Sequence, residues 1–374
     1  MKQIDVDEFI AQLRERLNAS TVRFKFDALC VGIASLYAFV QTAWTGPDVS
    51  FSISEHLGLD SHRTRILKSL GADGEEAYVL IPHPLLLLIA KLILIDCSDC
   101  FAEFQSYSWW KCRCAFIQQR ILDNPAASLQ AAMTEAIAQL DSSISEFAAS
   151  NRELKARAYL EQGLIHHFYG QDAKAVELFD RAQEASGLVW ALTGALGKRT
   201  KFQTFEVSQL VVLAESLKEQ NCSSTKEEKS AAAPNTLPLN DDTLLETVDI
   251  TVKTPSQQDN LSVIDQAILL AFCMNVKNTN PDHGLTIEQI FPYVRRVLQH
   301  PNNWMVHTMA LLLRSRLESV KSRTVERAAL QLQALVDQFN VDDSANYERM
   351  LHIFSIMMPP KWELEVSCFI SFCR

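Results

Sequence analysis

The stretch ARAYLEQGLIHHFYGQDAKAVELFDRAQEASG, residues 156–187, decides the fold. Small residues stand at Gly163, Ala175 and Ala182, and the large Phe179 lies between the last two. In a pair of antiparallel helices, small side chains at these spacings let the two backbones approach closely. The ring of Phe179 then fills the gap that remains, so the stretch predicts a tightly packed helical hairpin.

The spacing of these small and large residues is that of a tetratricopeptide repeat, a helical pair of about 34 residues. Tyr159 takes the aromatic position of its first helix, and residues 169–172 supply the turn. Gln162 and His166 depart from the pattern, and Gly187 replaces the proline that usually ends the repeat. Because a single repeat cannot bury its own faces, we expect it to belong to a larger stack.

The composition of the chain favours helices. Of its 374 residues, 48% are apolar, and it has only 11 glycines and 12 prolines. Folds rich in β-structure need more of both residues for their tight turns. None of the helical runs in the first 150 residues shows sustained alternation of apolar and polar residues, so we expect no sheet. The predicted fold class is all-α, an α-solenoid of tetratricopeptide-like hairpins with a long disordered insertion.

The sequence predicts four regions. An N-terminal helical region covers 1–150, and the tetratricopeptide-like pair with a following helix covers 151–217. An acidic, disordered linker covers 218–260, because this stretch is polar, contains three prolines and lacks helical periodicity. A C-terminal helical region with an atypical tail covers 261–374. Within the linker, Leu244, Leu245 and Val248 could dock as a short tethered segment.

Nine cysteines in a sequence without an export signal predict a cytoplasmic or nuclear protein with reduced thiols. The net charge of −10 argues against direct nucleic-acid binding, and residues 1–17 do not form a signal peptide. The apolar runs 28–44 and 84–95 are too short or too interrupted to span a bilayer. We interpret them as buried helices and expect no membrane association.

Four of the nine cysteines raise the question of a metal site. Cys97, Cys100, Cys112 and Cys114 are candidate zinc ligands, and the first pair has the required spacing. The second pair has one residue too few between its cysteines, and both pairs lie in or beside apolar helices. We therefore interpret them as buried reduced thiols and predict no cofactor.

The run GALGKRT, residues 194–200, resembles a phosphate-binding loop. It has two residues between its glycines where four are required, and Arg199 stands where serine or threonine should follow Lys198. We interpret it as the end of a helix, at which positive charge is favourable. The alternative is an anion-binding contact with a partner, made by Lys198, Arg199 and Lys201.

No other motif indicates catalysis, so we predict that the chain is not an enzyme. Paired carboxylates, a nucleophile elbow and a metalloprotease motif are all missing from the sequence. Arg314, Arg316 and Glu318 lie close together on a predicted helix, and we expect them to form a solvated polar face.

Several blocks of the chain resemble the tetratricopeptide repeat protein 27 family, whose fungal member is linked to cell-wall integrity. The blocks carrying the resemblance are QTAWTGP (41–47), YSWWKCRCAFIQQRILD (107–123), LVWALTGALGKRTKFQTFEVSQLVVLA (188–214), LPLNDDTLLE (237–246), HPNNWMVHTMALLLRSRLE (300–318), RTVERAALQLQALVDQF (323–339) and PPKWELE (359–365).

The resemblance implies a non-catalytic helical-repeat adaptor that binds proteins. It further implies a link to chaperone-assisted assembly of the U5 spliceosomal particle, with U5 components and chaperone complexes as partners. A role in cell-wall or secretory homeostasis is the alternative, and a zinc- or nucleotide-dependent protein is a third. The family's main repeat array lies downstream of Glu365, where this chain departs from the pattern, so we expect a truncated form.

Overall fold

The structure is a computed structural model that describes residues 6–45, 62–147, 151–217, 236–239, 241–250, 259–281 and 283–337. These residues divide into two compact units, one within Met1–Ser150 and the other within Asn151–Phe354. The last part of the predicted C-terminal helical region, 338–374, including the tail after Glu365, lies outside the described residues.

The first unit is helical. Its α-helices are α1 (Val6–Asn18), α2 (Val22–Val40), α3 (Arg63–Leu70), α4 (Pro84–Lys91), α5 (Tyr107–Arg120) and α6 (Ala127–Phe147). A π-helical turn extends α2 through Gln41–Thr45, and another extends α4 through Leu92–Asp96. Helix α2 packs on α4, and α5 packs on α6. Helix α5 is buried on nearly all sides, as its lack of a polar stripe predicts.

One helical segment among the described residues, Val22–Trp44, is long and apolar enough to cross a membrane. A third (33%) of its most apolar window is buried, and core helices pass the same test. Its buried side chains include Leu36, Phe39 and Trp44, whereas Phe24 and Phe26 are about half exposed, at 52% each. The segment is therefore partly, not fully, a core helix.

The second unit begins with the predicted helical pair, α7 (Arg152–Phe168) and α8 (Asp172–Ser186). Gly170, with φ of +68°, makes the turn between them, and Gly187, with φ of +78°, ends α8. Both backbones lie in the left-handed region, which favours glycine. Glycine at 187 therefore performs the helix-ending role that proline has in the usual repeat.

Four helices continue the stack: α9 (Val263–Thr279), α10 (Gly284–Leu298), α11 (Trp304–Glu318) and α12 (Val325–Asp337). Helix α9 packs against both helices of the α7–α8 pair, and each later helix packs on the one before it. This arrangement is an α-solenoid, as predicted, because each helix buries one face on its predecessor and another on its successor.

A small antiparallel sheet is inserted between α8 and α9, which corrects the expectation of no sheet. Strand β1 (Val189–Thr200) lies between β2 (Val207–Glu215) and β3 (Leu244–Ile250). Trp190 pairs with Ala214 across β1 and β2, and its ring packs on Phe272 and Tyr293 of the helices, with centroids 5.0 and 5.4 Å apart. The sheet is thereby fixed to α9 and α10.

Two predictions for this part of the chain were wrong. The helix expected after the repeat, within 151–217, is replaced by β1 and β2, because Gly194 and Gly197 disfavour a helix by about 1 kcal/mol each. The linker predicted to be disordered over 218–260 contains β3, which pairs with β1 through Lys198 and Asp249. Leu244 and Leu245 do dock, as part of this strand.

Candidate functional site

A cleft of about 540 Å³ lies between the sheet and helices α10, α11 and α12. We call it the charged cleft, because Arg199, Arg295, Arg296, Arg314, Lys321 and Arg327 line it together with Glu246, Glu288 and Glu318. Apolar side chains, among them Leu210, Leu244 and Phe291, form the rest of its wall. Its volume falls within the range of about 300–1,000 Å³ that is typical of ligand sites.

Helix α10 supplies one wall of the charged cleft. The side chain of His283 caps its first turn by accepting the Leu285 N–H at 3.1 Å. Glu288, Phe291 and Arg295 follow at helical spacing, so their side chains share the face that turns toward the cleft. The guanidinium of Arg295 lies 5.3 Å from the centre of the Phe291 ring, in a cation–π contact.

Glu288 joins the sheet to the end of the helical stack. Its carboxylate accepts hydrogen bonds from Arg199 of β1 at 2.8 Å and from Lys321, in the turn after α11, at 3.2 Å. Burial opposes ionisation of Glu288, but Arg199 and Lys321 outweigh it and lower the pKa of this carboxyl below its usual value. Glu288 therefore stays charged and holds both cations at the cleft.

A second network fixes β3 to α11 and α12. Arg327 donates to Glu246 of β3 at 2.8 and 3.0 Å, and its Nε donates to Glu318 at 3.0 Å. Arg314 lies 3.7 Å from Glu246 and adds a second cation. Arg314 and Glu318 are buried, at 7% and 4% exposure, whereas Arg316 is exposed. The prediction that these three residues form a solvated polar face was therefore wrong for Arg314 and Glu318.

Residues 236–239 are held against the same helices. Gln331, which is fully buried, accepts the Leu237 N–H at 2.9 Å and a hydrogen bond from Arg314 at 2.9 Å. The hydroxyl of Thr236 lies 3.1 Å from Nε2 of His307. Burial, followed by the charge of Arg314, lowers the pKa of His307 to about 4, so this imidazole is neutral at physiological pH.

The structure places the three predicted partner contacts in different surroundings. Arg199 lines the charged cleft, whereas Lys201 donates to the Asp241 carbonyl at 3.2 Å and so fixes the chain just before β3. Lys198 is half-buried in the β1–β3 pair. The interpretation of 194–200 as the end of a helix was wrong, because these residues form an extended strand. An extended strand cannot wrap around a phosphate as a phosphate-binding loop does.

The predicted repeat residues lie together between α7 and α8. Ala175, Phe179 and Ala182 are fully buried, and a Cβ on Gly163 would lie 2.5 Å from the Phe179 ring. Tyr159 is half-buried on the same helix as Gly163. Of the two adjacent histidines, His167 packs on Phe179 with centroids 6.4 Å apart, and His166 lies 2.7 Å from the side-chain oxygen of Gln171.

The candidate zinc ligands lie in the first unit. Cys97, Cys100, Cys112 and Cys114 are all buried and not joined in disulfides. Burial raises the pKa of the Cys97 thiol to about 11 and also raises that of Cys114, which disfavours the thiolate that zinc needs. Within the part of the chain that the structure describes, no group of three or more potential ligands is placed to hold a metal ion.

Sequence reasoning missed Glu246 and Arg327, which line the cleft, and Gln331 and His307, which contact residues 236–239. One local signal could have indicated His307. Helix α11 reads WMVHTMALLLRSRLE, with polar residues distributed around an otherwise apolar helix. Such a helix is buried on most sides, and its polar groups then need partners.

Comparison with known proteins identifies relatives along most of the chain. It is 34% identical to the tetratricopeptide repeat protein 27 homolog of Dictyostelium discoideum over 96% of this chain and 46% of that protein. It is 35% identical to a TPR repeat-containing protein of Schizosaccharomyces pombe over 89% of this chain and 46% of that protein. A Saccharomyces cerevisiae protein named essential for maintenance of the cell wall protein 1 is 24% identical over 98% of this chain and 51% of its own length.

No family model matches the chain, and no solved structure matches it significantly. The chain spans about half the length of the curated relatives it matches. The relatives carry tetratricopeptide repeats by name, and the structure of this chain contains such a helical pair within a solenoid. Tetratricopeptide proteins act as scaffolds that bind other proteins. The chain belongs to the tetratricopeptide repeat protein 27 family.

Proposed function

We propose that this chain is a non-enzymatic scaffold that binds other proteins through its second unit. The observation that carries the proposal is the continuous stack from α7 to α12, which presents helical faces and a charged cleft as recognition surfaces. Stacks of this kind bind proteins through extended surfaces of their repeats. The same unit contains no motif for a catalytic reaction in its described sequence, and we propose no enzymatic step for it.

The more specific role that we propose is chaperone-linked assembly of the U5 spliceosomal particle. It is supported by the family blocks of the sequence, several of which form the charged cleft and its anchors. Block 188–214 forms β1 and β2, block 237–246 leads into β3, and block 300–318 contains α11. A factor in this process would be cytoplasmic and also nuclear, and its partners would be U5 proteins and chaperone complexes.

Affinity capture with quantitative mass spectrometry tests this role. The tagged chain would serve as bait in cytoplasmic and nuclear extracts, with the tag alone and a full-length family member as the two controls. We expect U5 proteins and chaperones to be enriched over the tag alone. If the full-length member captures them and this chain captures none, the role belongs to the other half of the family's sequence. If neither captures them, the assembly role is wrong.

A role in cell-wall or secretory homeostasis is the second candidate, and the name of the S. cerevisiae relative favours it. The two roles predict different results when the gene is depleted. If the assembly role is primary, restoring splicing of the affected transcripts should relieve cell-wall or secretory defects. A cell-wall defect that persists after splicing is restored would favour the second candidate.

The zinc- or nucleotide-dependent alternative gains no support from the described residues. The four cysteines are buried, and burial raises the pKa of the Cys97, Cys100 and Cys114 thiols. The run 194–200 is part of a strand. Metal analysis of the purified chain and a nucleotide-binding assay test it directly. Stoichiometric zinc or saturable nucleotide binding would revive that alternative.

A further inference from the structure

The charged cleft is positive, although the chain as a whole is acidic. Six cationic side chains and three carboxylates line it, which leaves an excess of three positive charges at neutral pH. The whole chain has a net charge of −10. The local excess is therefore a property of this site and opposes the charge of the molecule around it.

All three carboxylates of the cleft already have cationic partners. Glu288 is bound to Arg199 and Lys321, and Glu246 is bound to Arg327. Glu318 is also bound to Arg327, and both of these side chains are largely buried. The carboxylates within the cleft are thus engaged in holding the sheet and the helices together.

The ion pairs of the three carboxylates leave over two of the six cations, Arg296 and Arg295. Arg296 donates to the carbonyl oxygens of Ala214 at 3.0 Å and Asp259 at 2.6 Å. Arg295 differs from Arg296 in this respect. Among the described residues it donates no hydrogen bond and forms no ion pair, although its guanidinium is half-buried at the cleft. Burial, followed by the charge of Arg199, lowers the pKa of Arg295. Arginine nevertheless stays protonated in proteins, so Arg295 carries a partly desolvated charge that has no acceptor among the described residues.

The surroundings of Arg295 indicate the chemistry of the missing acceptor. A guanidinium offers several N–H donors in a planar fork that matches the two oxygens of a carboxylate. Phe291 lies beneath this guanidinium, and Leu210 and Leu244 provide apolar surface in the same cleft. A ligand that fits both features carries an acidic group next to an apolar group, as a peptide with Asp or Glu beside a large apolar residue does.

We propose that the charged cleft binds an acidic peptide segment of a partner protein, with one carboxylate on Arg295 and a neighbouring apolar side chain on the wall formed by Leu210, Leu244 and Phe291. This inference rests on the proposed scaffold function and names the chemistry of one of its partners. The site is distinct from the α7–α8 hairpin, because it is made by the sheet insertion and by α10 to α12.

Fluorescence polarisation with labelled short peptides tests the proposal on the whole chain. One panel would combine Glu and Leu in every order, and the matched panel would carry Gln in place of Glu. We expect at least one Glu peptide to bind and its Gln counterpart to bind about tenfold more weakly, since hydrogen bonds between two charged groups are stronger than those to a neutral group. The affinity should also fall as salt is raised.

Two variants with the same loss of charge locate the site. Arg295→Gln should weaken binding of the Glu peptide about tenfold. Arg181→Gln, on the exposed face of α8, should leave it unchanged, because Arg181 is outside the cleft and pairs with the exposed Glu177. Arg295→Lys keeps the charge without the planar fork, and an intermediate affinity is expected. Circular dichroism and thermal unfolding establish that each variant is folded.

The proposal is overturned if no Glu peptide binds better than its Gln counterpart. It is also overturned if Arg295→Gln and Arg181→Gln weaken binding equally, or if inorganic phosphate binds to Arg295 while the peptides do not. Partner capture distinguishes this failure from failure of the scaffold function. If the Arg295→Gln chain captures every partner of the unmodified chain, the scaffold function stands and the role of the cleft is wrong.

Discussion

The ring of Phe179 occupies the space that a side chain at Gly163 would need. A Cβ added to Gly163 would lie 2.5 Å from Cε1 and 2.7 Å from Cδ1 of Phe179, and 3.3 Å from the carbonyl oxygen of Ala175. The contact therefore depends on glycine having no side chain, and it determines how closely α7 and α8 approach. The two helices are the first pair of the stack on which α9 packs.

We expect Gly163→Ala to destabilise the second unit by about 1–3 kcal/mol, since overpacking of a well-filled core costs this much. Gly284→Ala is the matched control, because a Cβ at Gly284 would meet nothing within 4 Å. That change should be neutral or slightly stabilising, as alanine favours a helix over glycine. Urea denaturation followed by circular dichroism measures both free energies of unfolding.

The cause of the Gly163→Ala effect can be isolated with a second change. In a Phe179→Leu background the smaller side chain leaves room for the added methyl group, so Gly163→Ala should cost less than it does beside phenylalanine. Equal costs in the two backgrounds would show that the contact with Phe179 does not explain the loss.

A second prediction concerns the buried ion pair between Arg327 and Glu318, whose side chains are 10% and 5% exposed. Arg327→Met leaves Glu318 buried without its cation, so we expect a loss of about 3–5 kcal/mol in the free energy of unfolding. Arg181→Met breaks an exposed pair with Glu177 and should cost no more than about 1 kcal/mol. Losses of similar size in these two variants would argue against the buried network.

A third prediction concerns the anchoring of residues 236–239. Gln331→Leu removes the acceptor of the Leu237 N–H and of Arg314, so this amide should exchange its hydrogen faster with solvent. Gln333→Leu on the same helix breaks an exposed hydrogen bond to Asp337 and, among the described residues, no contact with residues 236–239, so it serves as the control. Hydrogen exchange followed by mass spectrometry distinguishes them, and the anchoring is wrong if Leu237 exchanges alike in both variants.

A fourth prediction concerns pH. Burial lowers the pKa of His307 to about 4, from an ordinary value of 6.5, so the unfolded chain binds a proton in this window that the folded chain does not. Stability should therefore fall as the pH is lowered from about 6.5 to about 4, by up to about 3 kcal/mol from this residue. Below pH 4 both states bind the proton, and this contribution stops changing.

The variant His307→Gln should reduce this loss without abolishing it. Glutamine can still hydrogen-bond to Thr236 but does not titrate, whereas His167 remains as a second buried histidine with a lowered pKa. Thermal unfolding measured between pH 7 and pH 4 gives the slope for each chain. A slope that is the same with and without His307 would mean that this imidazole is not protected in the folded state.

The helices could be predicted from the sequence because their signals are local. The pair α7–α8 is indicated by the spacing of Gly163, Ala175 and Phe179, and such spacing is visible within one short stretch. The last helices show an apolar stripe of the same kind, as Ala328, Leu332 and Leu335 of α12 do. For these elements the local pattern and the packing agree.

The sheet was only partly predictable, because β3 and the rings that hold Trp190 come from distant parts of the chain. Strand β1 contains Gly194 and Gly197, which locally indicate only the end of a helix, and its apolar residues do not alternate cleanly. Its partner β3 follows after more than 40 residues, and Trp190 is fixed by rings on α9 and α10. The alternation of Val248 and Ile250 with polar residues does not by itself identify the distant strand with which β3 pairs.

The charged cleft was only partly predictable for the same reason. Arg199 was predicted as a partner contact from its position in a basic run, and it does line the cleft. Arg314 and Glu318 look like a solvated pair on an isolated helix. They are buried because β3 and residues 236–239 cover them, and those segments come from more than 60 residues earlier in the chain.

The central structural claim is that the sheet insertion closes over α10 to α12 and so forms the charged cleft. Hydrogen exchange of the amides in β3, Leu244–Ile250, measures this most directly, since these residues were predicted to be disordered. The account predicts slow exchange in the unmodified chain and faster exchange in Arg327→Met, but not in Arg181→Met. Exchange of these amides at the rate of an unstructured chain in the unmodified protein would contradict it.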